Sequence, residues 1–182
     1  PGAVQSARSV SVVLAGSGGA GVMTAGNMLL EAAAHAGYYA LMTRSSGPQI
    51  RGGEAAAMLR IACEPIECME DRFHVLAAVD WENVQRFNAE IPLGDSSLIV
   101  GDPDQGEPPD VFLKSGASRA SLPLKKIAKS VPEGRANMVL LGALAALLGL
   151  PDDAVARAVR RPLSSLSTSE TSLRIASKYC FP

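Results

Sequence analysis

The chain holds 182 residues with a formal net charge of −1 at pH 7, enough for one α/β domain with a full core. Hydrophobic residues make up 47% and charged ones 19%, a balance that excludes a disordered chain and offers no basic surface for nucleic acid or an anionic membrane. Aromatics are only 4%, so the core must be built from Ala, Val, Leu, Ile and Met.

Cys63, Cys68 and Cys180 form no C-x-x-C pair, and their odd number suits a reducing compartment. His35 and His74, the only histidines, are not placed to complete a metal site with Cys63 and Cys68. No metal ion and no iron–sulfur cluster is therefore expected in this chain. The longest apolar stretch, residues 138–150, is too short for a membrane span and is broken by Gly142 and Gly149. Nothing at the start reads as a signal peptide, which makes a cytoplasmic protein the expectation.

After a small, polar leader (residues 1–8), residues 11–14 (Ser-Val-Val-Leu) predict a buried strand. Ala15 and the turn Gly16-Ser17-Gly18-Gly19-Ala20-Gly21 follow, and an alanine-rich helix is predicted over residues 22–35, capped by Gly37. The spacing of Gly16, Gly18 and Gly21 matches G-x-G-x-x-G. Such a strand, glycine turn and helix N-terminus can present N–H groups and a favourable dipole to an anion, although a helix packed tightly on a strand produces the same pattern. His35 falls in the last turn, where it suits the helix dipole, and Glu31 is assigned to the exposed side.

Residues 38–43 predict a second strand that completes a βαβ unit. The stretch Arg44-Ser45-Ser46-Gly47-Pro48-Gln49-Ile50-Arg51-Gly52-Gly53-Glu54 breaks all periodicity and reads as a loop, in the position where α/β proteins place ligand contacts. Residues 55–61 are read as a strand, antiparallel to its neighbours. Residues 73–79 predict another buried strand, followed by Asp80 as the N-cap of a helix over residues 81–88. A strand over residues 97–100, a proline-rich surface connection over 101–109, and weak strands at 111–113 and 121–124 come next. Lys125, Lys126 and Lys129 mark a solvated helix face. Residues 138–148 form the strongest helix of the chain, apolar nearly all round and so buried in the domain or against a partner. A short helix runs from Pro151 to Arg161, and the Ser-rich stretch 162–182 reads as a tail or linker. The expected organisation is one α/β domain over residues 1–161: a three-layer, mostly parallel but mixed sheet with helices on both faces and a Rossmann-like first turn.

A nicotinamide fingerprint should carry an acid at the end of the second strand. Thr43-Arg44-Ser45-Ser46 offers a cation and hydroxyls instead. This favours a phosphorylated ligand, either a 2′-phosphate or the phosphates of coenzyme A, with Arg44 and Arg51 as charge-assisted partners. No nucleophile and base pair up into a catalytic set. Three readings stay open on the residues alone: a phosphate-binding accessory component, a free-standing NADP-binding oxidoreductase of Rossmann type, and a structural interaction domain.

The run from Gly16 to Gly26, the loop Thr43 to Gly53, Pro65-Ile66 and Ala77-Ala78-Val79-Asp80 together resemble the gamma subunit or gamma domain of the 2-oxoacid:ferredoxin oxidoreductases. The resemblance spans residues 10–158, and Ser-Ser-Gly-Pro-Gln-Ile-Arg-Gly-Gly-Glu is most similar to the gamma part of fused gamma–alpha chains of 2-oxoglutarate-type enzymes. It implies a component of an enzyme that converts a 2-oxoacid and coenzyme A to acyl-CoA, CO2 and reduced ferredoxin. Thiamine diphosphate and Mg2+ would then lie between partner alpha and beta parts, with iron–sulfur clusters in the beta or delta parts, and this chain would bind coenzyme A and cover the active site. The resemblance assigns Gly16, Ser17, Gly18, Gly19, Ala20, Gly21, Val22, Met23 and Thr24 to the coenzyme's phosphates. It assigns Arg44, Ser45, Ser46 and Arg51 to its nucleotide or pantetheine path, and implies no catalytic residue here. The family often carries Gln where this chain has Ala20, and the end after Pro162 departs from the family's closing segment.

Overall fold

The computed structural model describes residues 8–48 and 53–160. In chain order they form β1 (Ser9–Ser17), α1 (Val22–His35), β2 (Tyr39–Ser46), β3 (Glu54–Ala62), β4 (Val75–Ala78), a 3-10 turn (Val84–Phe87), β5 (Leu98–Gly101) and a second 3-10 turn (Pro103–Gln105). Helix α2 (Asp110–Leu113), β6 (Ser118–Ser121), α3 (Leu124–Lys129), α4 (Ala136–Leu148) and α5 (Asp152–Arg160) complete the order. The strands make one six-stranded sheet in the order β2-β3-β1-β4-β5-β6. β1, β4, β5 and β6 run parallel, and β3 lies antiparallel to both β1 and β2.

Strand alternation sorts the side chains onto two faces. Val12, Leu14, Ala57, Leu59, Val75 and Ala77 join α1, α3, α4 and α5 in the larger core. Val13, Ala15, Ala56, Met58, Leu76 and Ala78 meet Trp81, Val84, Phe87 and Phe112 on the other face. The small residues of α1 set its distance from the sheet. A Cβ built on Gly26 would come 2.6 Å from the Ala57 Cβ. Helix α4 is buried on nearly every side, from Asn137 through Ala145 and again at Leu148, because it lies between α1 and α3 against the sheet. Full burial of each of Leu140, Leu141, Leu144 and Leu148 contributes about 1.5–3 kcal/mol. α1 ends as its sequence predicts: Gly37 takes φ 85°, and Tyr38 N–H bonds the Ala33 carbonyl at 3.0 Å, a Schellman closure.

Several elements depart from the sequence expectation. β2 does not pair with β1, because β3 is inserted between them. The irregular stretch is shorter than expected: Arg44, Ser45 and Ser46 remain in β2, registered against Ala57, Ala56 and Ala55, and Glu54 already belongs to β3. The helix expected over residues 81–88 shrinks to a 3-10 turn, since Asn83 adopts φ 58° and interrupts it. Residues 111–113 are helical rather than extended; Phe112 N–H bonds the Pro109 carbonyl at 2.9 Å as the turn begins. The strand expected at 121–124 lies earlier, at Ser118–Ser121, where β5 pairs with it. Glu31 is only partly exposed, and its Oε2 is buried without a hydrogen-bond partner. The Ser-rich stretch 162–182, with Cys180, lies outside the described residues.

Candidate functional site

From β1 the chain crosses through α1 to β2, on one side of β1; from β4, on the other side, it moves away to β5 and β6. The connections diverge at the carboxyl ends of β1 and β4, and such a switch point leaves the crevice where open α/β sheets bind ligands. The glycine turn occupies it.

Gly16 is buried at the end of β1, where an added Cβ would stand 3.3 Å from Val22 Cγ2, 3.4 Å from Val79 and 3.5 Å from Asp80 Oδ2. Its role is close packing. Gly21, the N-cap of α1, has φ 82°, and a Cβ there would overlap the Asn137 amide. The Asn137 Nδ2 donates to the Gly21 carbonyl at 3.1 Å, so α4 holds the turn from behind. Between them Gly18 and Gly19 are exposed, Ala20 packs against the larger core, Val22 is buried, Met23 is half-buried and Thr24 is exposed. The part of the turn open to a ligand is therefore Gly18–Gly19 and the start of α1.

Asp80, just past β4, does not cap a helix of its own. Its Oδ1 accepts from Ser17 N–H at 2.9 Å and its Oδ2 from Ser17 Oγ at 2.8 Å, with Glu82 N–H at 3.2 Å as a further donor. The carboxylate fastens the first residue of the turn to the neighbouring strand end.

The end of β2 reaches the same edge. Arg44 Nη2 donates to Asn27 Oδ1 on α1 at 2.8 Å, which brings an exposed cation beside the helix that the turn opens. By register Arg44 and Ser46 stand on the α1 side of the sheet and Ser45 on the opposite side. Arg51 lies outside the described residues. At the base of the hairpin, Glu54 is 2% exposed and meets Arg86 Nη1 through both oxygens, at 3.1 and 3.2 Å. Its own backbone hydrogen bond and the Arg86 guanidinium hold the carboxyl below its ordinary range, against burial, which pushes the other way. Among the described residues, no group of three or more His, Cys, Asp or Glu is placed to hold a metal ion, and no helix is long and apolar enough to cross a membrane.

The residue pairs that build this edge had no signal in the sequence. Ser17 and Asp80 are 63 positions apart, and Gly21 and Asn137 are 116 apart.

Residues 11–174 match the family described as pyruvate ferredoxin/flavodoxin oxidoreductase. The chain belongs to this family. Two relatives are named 2-oxoglutarate synthase subunit KorC. The one from Archaeoglobus fulgidus is 28% identical over 92% of this chain and 86% of its own length. The one from Methanothermobacter marburgensis is 33% identical over 75% of this chain and 76% of its own. The fold is shared with a keto/oxoacid ferredoxin oxidoreductase gamma subunit from Geobacter sulfurreducens, at TM-score 0.70 and 24% identity over 93% of this chain and 96% of that one. It is shared also with the 2-oxoglutarate:ferredoxin oxidoreductase of Magnetococcus marinus, solved with 2-oxoglutarate, coenzyme A and succinyl-CoA bound. That likeness has a TM-score of 0.77 at 24% identity over 94% of this chain, which spans only 30% of the Magnetococcus chain. The chain is thus a component of an oxidoreductase, as the sequence resemblance implied.

Proposed function

We propose that this chain is the gamma part of a 2-oxoglutarate-type oxidoreductase and that it binds coenzyme A in the crevice between the glycine turn and the end of β2. The whole enzyme would convert a 2-oxoacid and coenzyme A to acyl-CoA and CO2, passing the electrons to ferredoxin. Thiamine diphosphate and Mg2+ belong, in this reading, between partner alpha and beta parts, whose active site this chain covers, and the iron–sulfur clusters to other partner parts. The names of the two KorC relatives support the substrate class, and the coenzyme present in the Magnetococcus structure supports the ligand.

The observation that carries the reading is the convergence of two elements on one edge. The exposed Gly18–Gly19 turn opens α1, and Arg44 reaches the same helix at Asn27. A helix N-terminus with a guanidinium beside it suits a ligand that carries several phosphates. Calorimetric titration of coenzyme A into the wild-type chain, Arg44→Ala and Arg51→Ala tests it. Binding by the wild type and weaker binding by both variants is expected, with no turnover of 2-oxoacid by the chain alone. Equal heats from all three would remove the site assignment, and preferential stabilisation by NADPH would overturn the ligand.

A further inference from the structure

Two carboxylates flank the glycine turn. Ser17 is the cross-strand partner of Glu54 on β3, and on its other side it bonds Asp80, just past β4, through both its N–H and its hydroxyl. The row Glu54, Ser17, Asp80 thus crosses the ends of three adjacent strands. Its two acids are handled differently. Arg86 neutralises Glu54. Asp80 is held by neutral donors only, the Ser17 N–H and hydroxyl and the Glu82 N–H, and among the described residues no cation forms an ion pair with it.

An anion bound at the N–H groups after Ser17 would sit next to this unneutralised carboxylate, which already occupies the first donor of the turn. The compensating cation, Arg44, stands on the α1 side of the sheet. A small anion that can touch only the turn meets the repulsion without the compensation. A longer ligand, with one phosphate near the turn and another at Arg44, gains enough to offset it.

We infer that Asp80 is a specificity-determining residue of the crevice: it excludes free phosphate from the glycine turn, so that the turn accepts a phosphate only as part of a larger ligand that also engages Arg44. This inference rests on the reading of the crevice as a coenzyme A site and says how that site rejects the commonest small competitor.

The test is a titration of the full 182-residue chain with inorganic phosphate at constant ionic strength, read from the amide resonances of Gly18, Gly19 and the start of α1. Asp80→Asn and Asp80→Ser remove the charge and keep a polar group against Ser17. Both should bind phosphate at this turn at least about tenfold more tightly than the wild type, the lower bound set by one unit charge a few ångströms away in fully aqueous surroundings. Ser17→Ala keeps the carboxylate and should bind no more tightly than the wild type. A residue that merely braced the turn would give the opposite sign, weaker binding in the neutral variants. Unchanged or weaker binding in whichever neutral variant folds therefore overturns the inference. Displacement of bound coenzyme A from the wild-type chain by excess phosphate overturns it as well. Failure of the wild type to bind coenzyme A strikes the coenzyme reading alone, because the phosphate titrations do not involve the coenzyme.

Discussion

A single nitrogen, Arg86 Nη1, lies 3.1 and 3.2 Å from the two carboxylate oxygens of Glu54, joining the turn after β4 to the first residue of β3. The pair closes the base of the β2–β3 hairpin. Gly47 N–H bonds the Glu54 carbonyl at 2.9 Å, and a Cβ at Gly47 would overlap the Glu54 carboxylate, so the acid is packed against the hairpin as well as paired.

Because Glu54 titrates below its ordinary value of 4.5 in the fold, it stabilises the folded chain when ionised. That contribution is fully present above pH 4.5 and is lost as pH falls through the lowered folded value. Glu54→Gln should flatten this part of the acid loss. Arg86→Ala should flatten it only partly, since the backbone hydrogen bond, the largest single cause, remains in that variant. Urea unfolding midpoints of the three proteins between neutral and acid pH measure the difference. An equal effect of both substitutions would mean that the backbone hydrogen bond contributes nothing once Arg86 is gone.

Gly21 and Gly19 separate two costs that glycine turns combine. Both have positive φ, 82° and 95°, but a Cβ at Gly19 meets nothing within 4 Å, whereas one at Gly21 overlaps Asn137. Gly19→Ala should cost about 1 kcal/mol from backbone conformation alone. Gly21→Ala should cost roughly 2–4 kcal/mol, adding the clash to the strain. In the Asn137→Ala background the extra cost of Gly21→Ala should fall towards that of Gly19→Ala, since the amide is gone and only the Cβ at 3.3 Å remains. Chemical denaturation of the single and double variants gives the coupling directly.

Local signals carried much of the fold. The run of residues 11–14, the alanine-rich helix ending at Gly37, and the all-apolar α4 are each specified by periodicity and caps within a short window. The order of the sheet was not legible, because a hairpin that returns between β1 and β2 leaves the same βαβ pattern as direct pairing. Asp80 shows the same limit at the site. A capping acid before a helix-prone stretch reads as an N-cap, yet Ser17 from another strand captures both oxygens and Asn83 breaks the helix. The glycine turn and Arg44 could be singled out as candidate ligand contacts because residue type and strand ends suffice for that. The bonds that hold the turn, Ser17 to Asp80 and Gly21 to Asn137, join residues far apart in the chain and emerge only when the sheet is assembled.

The contact between α1 and β3 sets propensity against packing. Alanine is favoured over glycine inside a helix by about 1 kcal/mol, so Gly26→Ala would stabilise an isolated α1. In the folded chain its Cβ would press on Ala57 at 2.6 Å and on Met42 Sδ at 3.3 Å. Overpacking of this kind costs about 1–3 kcal/mol, and packing should win, giving net destabilisation. Ala57→Gly in the same chain should recover part of the loss. A Gly26→Ala variant that melts above the wild type would mean that α1 can move off the sheet more easily than its packing indicates.

Arg44 distinguishes a ligand contact from a brace. Its side chain is exposed and its bond to Asn27 spans 2.8 Å at the surface, so Arg44→Ala should change stability by no more than about 0.5 kcal/mol. If the guanidinium also meets a phosphate of coenzyme A, the same substitution should weaken coenzyme binding about tenfold or more, the usual scale for a charge-assisted hydrogen bond. Arg44→Lys keeps the charge but loses the planar fork, and should fall between the two. Asn27→Ala removes the partner and leaves the cation free, so its effect on coenzyme affinity should be smaller than that of Arg44→Ala. Melting curves and coenzyme titrations on the same four proteins decide the matter. A fall in affinity that simply tracks a fall in melting temperature across the set would make Arg44 a brace for α1 rather than a ligand contact.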